Sequence, residues 1–426
     1  MERQVAFFSL PNELFSLLLT DWLRWEEVVR CDSAMCSRAE RTEWLALLRN
    51  GCIFRSVAIG GWNAQVVSRW LQLRCIRTNE IELNNFASSS YDKESMENWL
   101  SETSPFIESV KLERTPKSFL KCIKRFCNRL TAARMTFQQP NDDLCWEILQ
   151  NNPLVELHID SVPGGEDILI PHELSLPLLR KLSVDAERIL NGEIFWLLEK
   201  LPLLQRLRIV SPSQEYAVLS ESCPNLLYLD LSNALPPHIG DIQQIASFLR
   251  LLKVGLRCLL LPRNHRLTPE VTQAIVGHHA HSLHCLGFPS AAKKTRFPFD
   301  NTDVDLLVHH LSSLHTLQVS CFDLDALKPI GNPSITHLLV DFCFSHSEQL
   351  HGLLLSQCPA LTKLSLCRLK GTVTTVASYI VALLLERPLI DTICVDTDEL
   401  MTHLMISLPT IKVRRYCAVD IFTQGY

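Results

Sequence analysis

At 426 residues the chain has room for two or three domains of ordinary size. Lys and Arg total 41 against 46 Asp and Glu, a net charge of −5, which excludes a strongly basic nucleic-acid binder as the default. Only 14 glycines are present, so folds built on glycine-rich loops and long flexible linkers are disfavoured. The apolar run from Val5 to Phe8 is too short for a signal peptide. The longest near-apolar stretch, Val376 to Leu385, spans 10 residues where a membrane helix needs about 20. The 16 cysteines follow no regular spacing and read as reduced, mostly buried thiols of a cytoplasmic or nuclear protein, with no membrane partner.

The first fifty residues predict short helices. Leu10-Pro11-Asn12-Glu13-Leu14 has a proline and an acid where a first turn accepts them, and Leu14, Leu17, Leu18 and Trp22 make an apolar face. A second helix opens at Arg24-Trp25 and runs through Val28, Val29 and Met35; a third spans Arg41 to Leu48, with Trp44, Leu45 and Leu48 inward. So short a segment cannot close a core alone and needs a neighbour or a partner to cover it.

From residue 51 onward the pattern apolar-x-x-apolar-x-apolar recurs. Weak copies stand at Phe54-Val57-Ile59, Thr78-Ile81-Leu83, Ile107-Val110-Leu112 and Leu130-Ala133-Met135. Strong ones begin at Leu154, Leu179, Leu204, Leu226, Leu256, Leu283, Leu314, Ile335, Leu361 and Ile390, and a degraded copy, Ile411-Arg414-Tyr416, closes the series. The average spacing is about 25 residues, the period of leucine-rich repeats. Between copies, Trp62–Leu73, Lys117–Cys127, Asp142–Gln150, Gln243–Leu252, Pro269–Gly277 and Thr374–Glu386 predict helices, and a proline often stands just before the strand. One unit cannot bury its apolar face alone, so units stack. The expected fold is an α/β solenoid, a leucine-rich repeat horseshoe over 51–417 with about 14–15 repeats and a tail at 418–426.

Two units read Cys-Pro-x-Leu-x-x-Leu-x-Leu, from Cys223 and Cys358, and resemble the cysteine-containing class of these repeats. At the N-terminus, Leu10-Pro11-x-Glu13-Leu14, Leu18, Trp22-Leu23, Val28-Val29-Arg30, Cys36-Ser37-Arg38 and Trp44 resemble an F-box over residues 8–48. The pattern departs at Ala34-Met35, where the family has a valine before the cysteine. The resemblance implies a three-helix F-box-like module that docks on the adaptor of an SCF-type cullin–RING ubiquitin ligase through Leu10, Pro11, Glu13, Leu14 and Leu18. It implies a substrate-recognition subunit, with adaptor and cullin at one end and an unknown protein substrate on the repeats. The competing reading of the same residues is an interaction scaffold whose helical start only caps the first repeat. A GTPase regulator on this fold would need a catalytic arginine that nothing singles out.

No P-loop, G-x-G-x-x-G, G-x-S-x-G or H-E-x-x-H motif occurs, so no enzymatic activity and no cofactor is expected. His278, His279, His281, His284 and Cys285 invite a metal reading, but they straddle a helix end with no second ligand pair; no metal site is expected. Cys31/Cys36 and Cys122/Cys127 are each separated by four residues and lack matching partners. The basic run Lys111, Arg114, Lys117, Lys121, Lys124, Arg125, Arg129 and Arg134 reads as a solvated helix face, without the interleaved aromatics of a nucleic-acid groove. A long loop, Pro289–Asp300, is a second possible contact site.

Strand alternation places the residues beside the buried positions on the concave, partner-binding face. They are Glu80, Glu82, Asn84, Glu156, His158, Asp160, Arg206, Arg208, Tyr228 and Asp230, then Thr316, Gln318, His337, Asp341 and Lys363. Their mixed signs suit a protein partner better than a polyanion.

Overall fold

A computed structural model of the chain describes residues 25–34, 38–49, 53–60, 64–84, 93–137, 143–161, 168–185, 193–209, 220–232, 239–262, 267–288, 307–321, 332–342, 358–367, 372–386, 389–395 and 397–415. The chain forms two compact units, Met1–Leu203 and Leu204–Tyr426. The first holds helices α1 (Trp25–Ala34) and α2 (Arg38–Arg49) and strands β1 (Ile53–Gly60), β2 (Arg77–Asn84), β3 (Ser109–Glu113), β4 (Ala132–Phe137), β5 (Glu156–Ser161) and β6 (Lys181–Asp185). Its return helices are α3 (Ala64–Arg74), α4 (Lys93–Thr103), α5 (Lys117–Phe126), α6 (Asp143–Gln150) and α7 (Glu193–Glu199).

The second unit holds β7 (Arg206–Ile209), β8 (Tyr228–Asp230), β9 (Cys258–Leu260), β10 (Cys285–Phe288), β11 (Thr316–Cys321), β12 (His337–Phe342), β13 (Lys363–Cys367), β14 (Thr392–Val395) and β15 (Lys412–Arg415). Its helices include α8 (Ile239–Leu251), α9 (Pro269–His279), α10 (Val373–Glu386) and α11 (Asp398–Ser407). Within each unit every strand pairs in parallel with the next along the chain, which is the leucine-rich repeat architecture.

The register follows the repeat. Val57, Ile81, Val110, Ala133, Leu157 and Leu182 stand opposite one another in the first unit. Leu207, Leu229, Leu259, Leu286, Leu317, Leu338, Leu364 and Ile393 do so in the second. All are buried. The last copy is shifted by one residue from the sequence expectation: Ile393 pairs with Val413, not Arg414. Val413 is the one apolar residue of β15, so it takes the inward position and leaves Arg414 exposed.

One turn recurs at six of the strand entries. Leu179, Leu226, Leu314, Ile335, Leu361 and Ile411 each donate a backbone hydrogen bond to the carbonyl three residues earlier, at 3.0–3.3 Å. Pro177, Pro224, Pro333, Pro359 and Pro409 occupy the second position of such turns, where a fixed φ suits the bend. The first position points inward and is buried in Leu176, Cys223, Leu311, Asn332, Cys358 and Leu408. At Asn332 the buried amide is satisfied: Nδ2 donates to the carbonyls of Val308 (2.8 Å) and Leu311 (3.0 Å), and Oδ1 accepts from Ser334 N (2.8 Å).

Burial makes the turn cysteine inert. The Cys223 thiol is pushed up to about 12 by desolvation, and Cys127 is pushed to about 12 by burial and the neighbouring Cys122. Both are free thiols, as is the exposed Cys75. Alkylation of the native protein at pH 8, read by mass spectrometry, should therefore modify Cys75 quickly and leave Cys127 and Cys223 untouched until denaturant is added. Equal rates at Cys75 and Cys223 would contradict a closed repeat turn.

Two N-terminal helices follow the sequence expectation: the second, read from Arg24-Trp25 to Met35, is α1, and the third is α2. They lie on the first repeat, α1 against β1 and α2 against α3, with Val28, Trp44 and Leu48 fully buried. The first helix of the expected module, with Leu10, Pro11, Glu13, Leu14 and Leu18, lies outside the described residues, as do Pro289–Asp300 and residues 416–426.

Candidate interaction surface

In the first unit the side chains beside the buried rows form a polar face. Strand register sets three rows across it: Ser56, Glu80, Ser109, Ala132, Glu156, Lys181; Ala58, Glu82, Lys111, Arg134, His158, Ser183; and Gly60, Asn84, Glu113, Thr136, Asp160, Asp185. The charges in these rows meet across strands. Lys111 Nζ donates to Glu82. Arg134 Nε donates to Asp160 Oδ2 at 2.9 Å, and His158 Nε2 lies 2.6 Å from the other Asp160 oxygen. Lys181 Nζ donates to Glu156 Oε2 at 3.0 Å. Asn84 Nδ2 adds a bond to Glu82 at 2.7 Å.

The acids respond to these partners. Burial pushes the Glu82 carboxyl up, but hydrogen bonds from Lys111 and Asn84 and the charges of Lys111 and Arg134 outweigh it, leaving it below the usual carboxylate range. Burial likewise opposes the His158 and Arg134 contacts at Asp160, and the contacts win there too. Both carboxylates are thus charged at neutral pH. Arg134, Glu156 and Lys181 keep about half of their side-chain surface in solvent.

Lys111 and Arg134, counted with the basic run in sequence, belong to this face. Four others lie on the helical side: α5 exposes Lys117, Lys121, Lys124 and Arg125 and buries Phe119, Leu120, Cys122 and Ile123. Lys124 pairs with Glu147 of α6 at 2.7 Å, and α4 on the other flank exposes Glu94 and Glu102. The stripe is a solvated face between carboxylate-bearing helices.

The second unit is different. Arg206 and Arg208 of β7 and Lys363 of β13 are part-exposed, but Tyr228, Asp230, Thr316, Gln318 and His337, expected to be open to a partner, are all buried. Arg206 stacks on Tyr228 with its guanidinium carbon 4.2 Å from the ring centroid, and Arg208 Nε lies 3.6 Å from Asp230. Tyr228, Cys258, Leu260, Cys285 and Leu339 form an apolar cluster on this side of the sheet. Gly287 belongs to the same surface: a Cβ there would come within 2.4 Å of Leu260 Cδ2. The described side chains of β8 to β12 are therefore buried on both faces of the sheet. Asp341 lies on β12, in register with Ser320 and Cys367.

The histidines near the end of α9 have separate surroundings. His279 is buried at the end of α9: Nδ1 accepts from Leu256 N (3.1 Å) and Nε2 donates to the Leu249 carbonyl (2.9 Å). Both ring nitrogens are used, and burial holds the ring below its ordinary pKa, so it is neutral. His284 and His315 meet edge to face. Among the described residues no group of three or more His, Cys, Asp or Glu is placed to hold a metal ion. No described helix is long and apolar enough to cross a membrane.

No protein-family model and no curated protein matches the chain. Among solved structures, a leucine-rich repeat-containing protein, LegL7 from Legionella pneumophila, aligns at 13% identity and a TM-score of 0.36, over 72% of this chain and 89% of that one. A structure of the Rad7 and Elc1 complex in yeast aligns at 15% identity and a TM-score of 0.43, over 82% of this chain and 87% of that one.

Proposed function

We propose that this chain is a non-catalytic recognition subunit of an SCF-type ubiquitin ligase. Its N-terminal module would hold the adaptor and its repeats would hold a protein substrate. The observation that carries the recognition half is the polar face of β2–β6, part-exposed and lined by both charge signs. Such a face fits a protein surface, with the rim charges setting register and partner choice. The adaptor half rests on the F-box resemblance of residues 8–48. In this reading the protein works in the cytosol or nucleus.

A second reading is favoured by one feature. α1 and α2 bury Val28, Trp44 and Leu48 against the first repeat, as an end cap would. The two readings part on Leu10 and Pro11. With purified SCF adaptor as bait, the wild-type chain should be retained, and the double substitution Leu10→Ala, Pro11→Ala should abolish retention with little change in melting temperature. Leu14→Ala should act in the same way. If the wild-type chain is never retained and the variants only melt earlier, the N-terminal helices are a cap and the ligase role falls.

A further inference from the structure

We propose that recognition is concentrated on the β2–β6 face and that this face takes a protein segment rich in Lys and Arg. The proposal rests on the repeats being the recognition element, but not on the adaptor reading. The location follows from burial. In the second unit, the equivalent positions of β8 to β12 are taken by the buried Tyr228, Cys258, Leu260, Cys285 and Leu339 cluster, which leaves Arg206, Arg208 and Lys363 part-exposed at its margins. In the first unit the equivalent described positions are part-exposed, and Arg134 is exposed.

The chemistry follows from how the charges are spent. The three cations of the face, Lys111, Arg134 and Lys181, are each already held by a carboxylate of a neighbouring strand. An acidic partner would have to break those pairs. Two carboxylates hold no cation among the described residues, Glu80 and Glu113. Among the described residues the Glu80 carboxylate accepts only the Ser56 hydroxyl, at 3.3 Å. Its row neighbours are Ser56 on one side and Ser109 and Ala132 on the other, so small side chains leave room beside it for a long aliphatic stem. A Lys or Arg entering there reaches Glu80 with its charge and lays its methylenes over Ala132 and the serines. The internal pairs stay intact and present fixed hydrogen-bonding edges to the remainder of the segment.

The test is selection of random phage-displayed peptides on the immobilised full chain. Enriched peptides should carry clustered Lys and Arg, and their binding should weaken as salt is raised. Glu80→Gln with Glu113→Gln should weaken synthetic versions about fivefold, the size expected for two part-exposed ion pairs. Glu94→Gln with Glu102→Gln on α4, which removes the same charge from the helical side, should leave binding unchanged. No enrichment, enriched peptides without cations, or equal weakening by both double substitutions would overturn the proposal. None of these outcomes depends on whether the adaptor is retained.

Discussion

Replacing Asp32 by alanine should cost about 3–5 kcal/mol and loosen α1 and α2 from the repeats. Asp32 is a nearly fully buried charge near the end of α1. Its Oδ2 accepts from Trp70 Nε1 and Arg74 Nε, both at 2.9 Å, and Arg74 Nη2 lies 2.9 Å away as well. Trp70 and Arg74 belong to α3, so a single carboxylate oxygen ties the N-terminal helices to the first repeat. Alanine leaves the mostly buried Arg74 guanidinium and the Trp70 N–H without their acceptor. Asp32→Asn keeps an oxygen for one or two donors and loses the charge, so it should cost only about 1–2 kcal/mol. Replacing both partners, Asp32→Leu with Arg74→Met, should recover most of the loss, because no uncompensated charge then remains. Urea unfolding measures the three costs. Hydrogen exchange over residues 25–49 shows where the loss falls. An alanine variant as stable as wild type would mean that the clasp is incidental.

The N-terminal segment shows how far the sequence can be read. Trp44 and Leu48 declare themselves as an apolar face, and both are buried. Asp32 does not declare itself, because its partners are 38 and 42 residues away and nothing local marks the pairing. The strands were legible because a two-residue alternation repeated at a fixed period leaves little choice of register. That rule failed only where the repeat decayed to a single apolar residue, at Val413. The helices α4, α7 and α11 are not among those the sequence predicts, although signals for α4 and α11 are present. Met96, Trp99 and Leu100 have helical spacing and are buried. Thr397 caps α11 through a bond from Leu400 N and is followed by Asp398 and Glu399.

The candidate face was half legible for a reason that is itself in the sequence. In β2 to β6 most of the outward positions are Glu, Lys, Arg, His and Asp, and the described ones keep part of their surface in solvent. In β8 to β12 the same positions become Tyr228, Cys258, Leu260, Cys285 and Leu339, which is the composition of a strand buried on both sides. Reading polar residues such as Asp230 and His337 as a lining ignored these apolar neighbours. Once Tyr228 and Leu339 are inside, Asp230 and His337 go in with them and must find partners there, as Asp230 does with Arg208 and His337 with Ser365.

That buried histidine should make the second unit acid-sensitive above the carboxylate range. His337 Nε2 lies 2.8 Å from Ser365 Oγ of the next strand. Burial, reinforced by the charge of Lys363, lowers its pKa to about 3. Unfolded, the ring takes a proton near 6.5. Between these values the unfolded chain binds more protons than the folded one, so stability rises with pH. The contribution is fully present above about 6.5 and is lost as pH falls toward 3. The loss is about 1.4 kcal/mol per pH unit, or roughly 2 kcal/mol between pH 6.5 and 5. His279, also buried and lowered, adds a loss of the same sign. Glu82 and Asp160, whose pKa values are lowered, lose their contributions only below the ordinary carboxylate range, so the interval from 6.5 to 5 isolates the histidines. His337→Gln, which keeps a hydrogen-bonding group toward Ser365 and does not titrate, should flatten the slope of unfolding free energy over that interval by about one histidine. Lys363→Met should flatten it less, since desolvation is the larger cause and remains. Identical slopes for wild type and His337→Gln would place the ring in contact with water and remove the argument for a closed inner face.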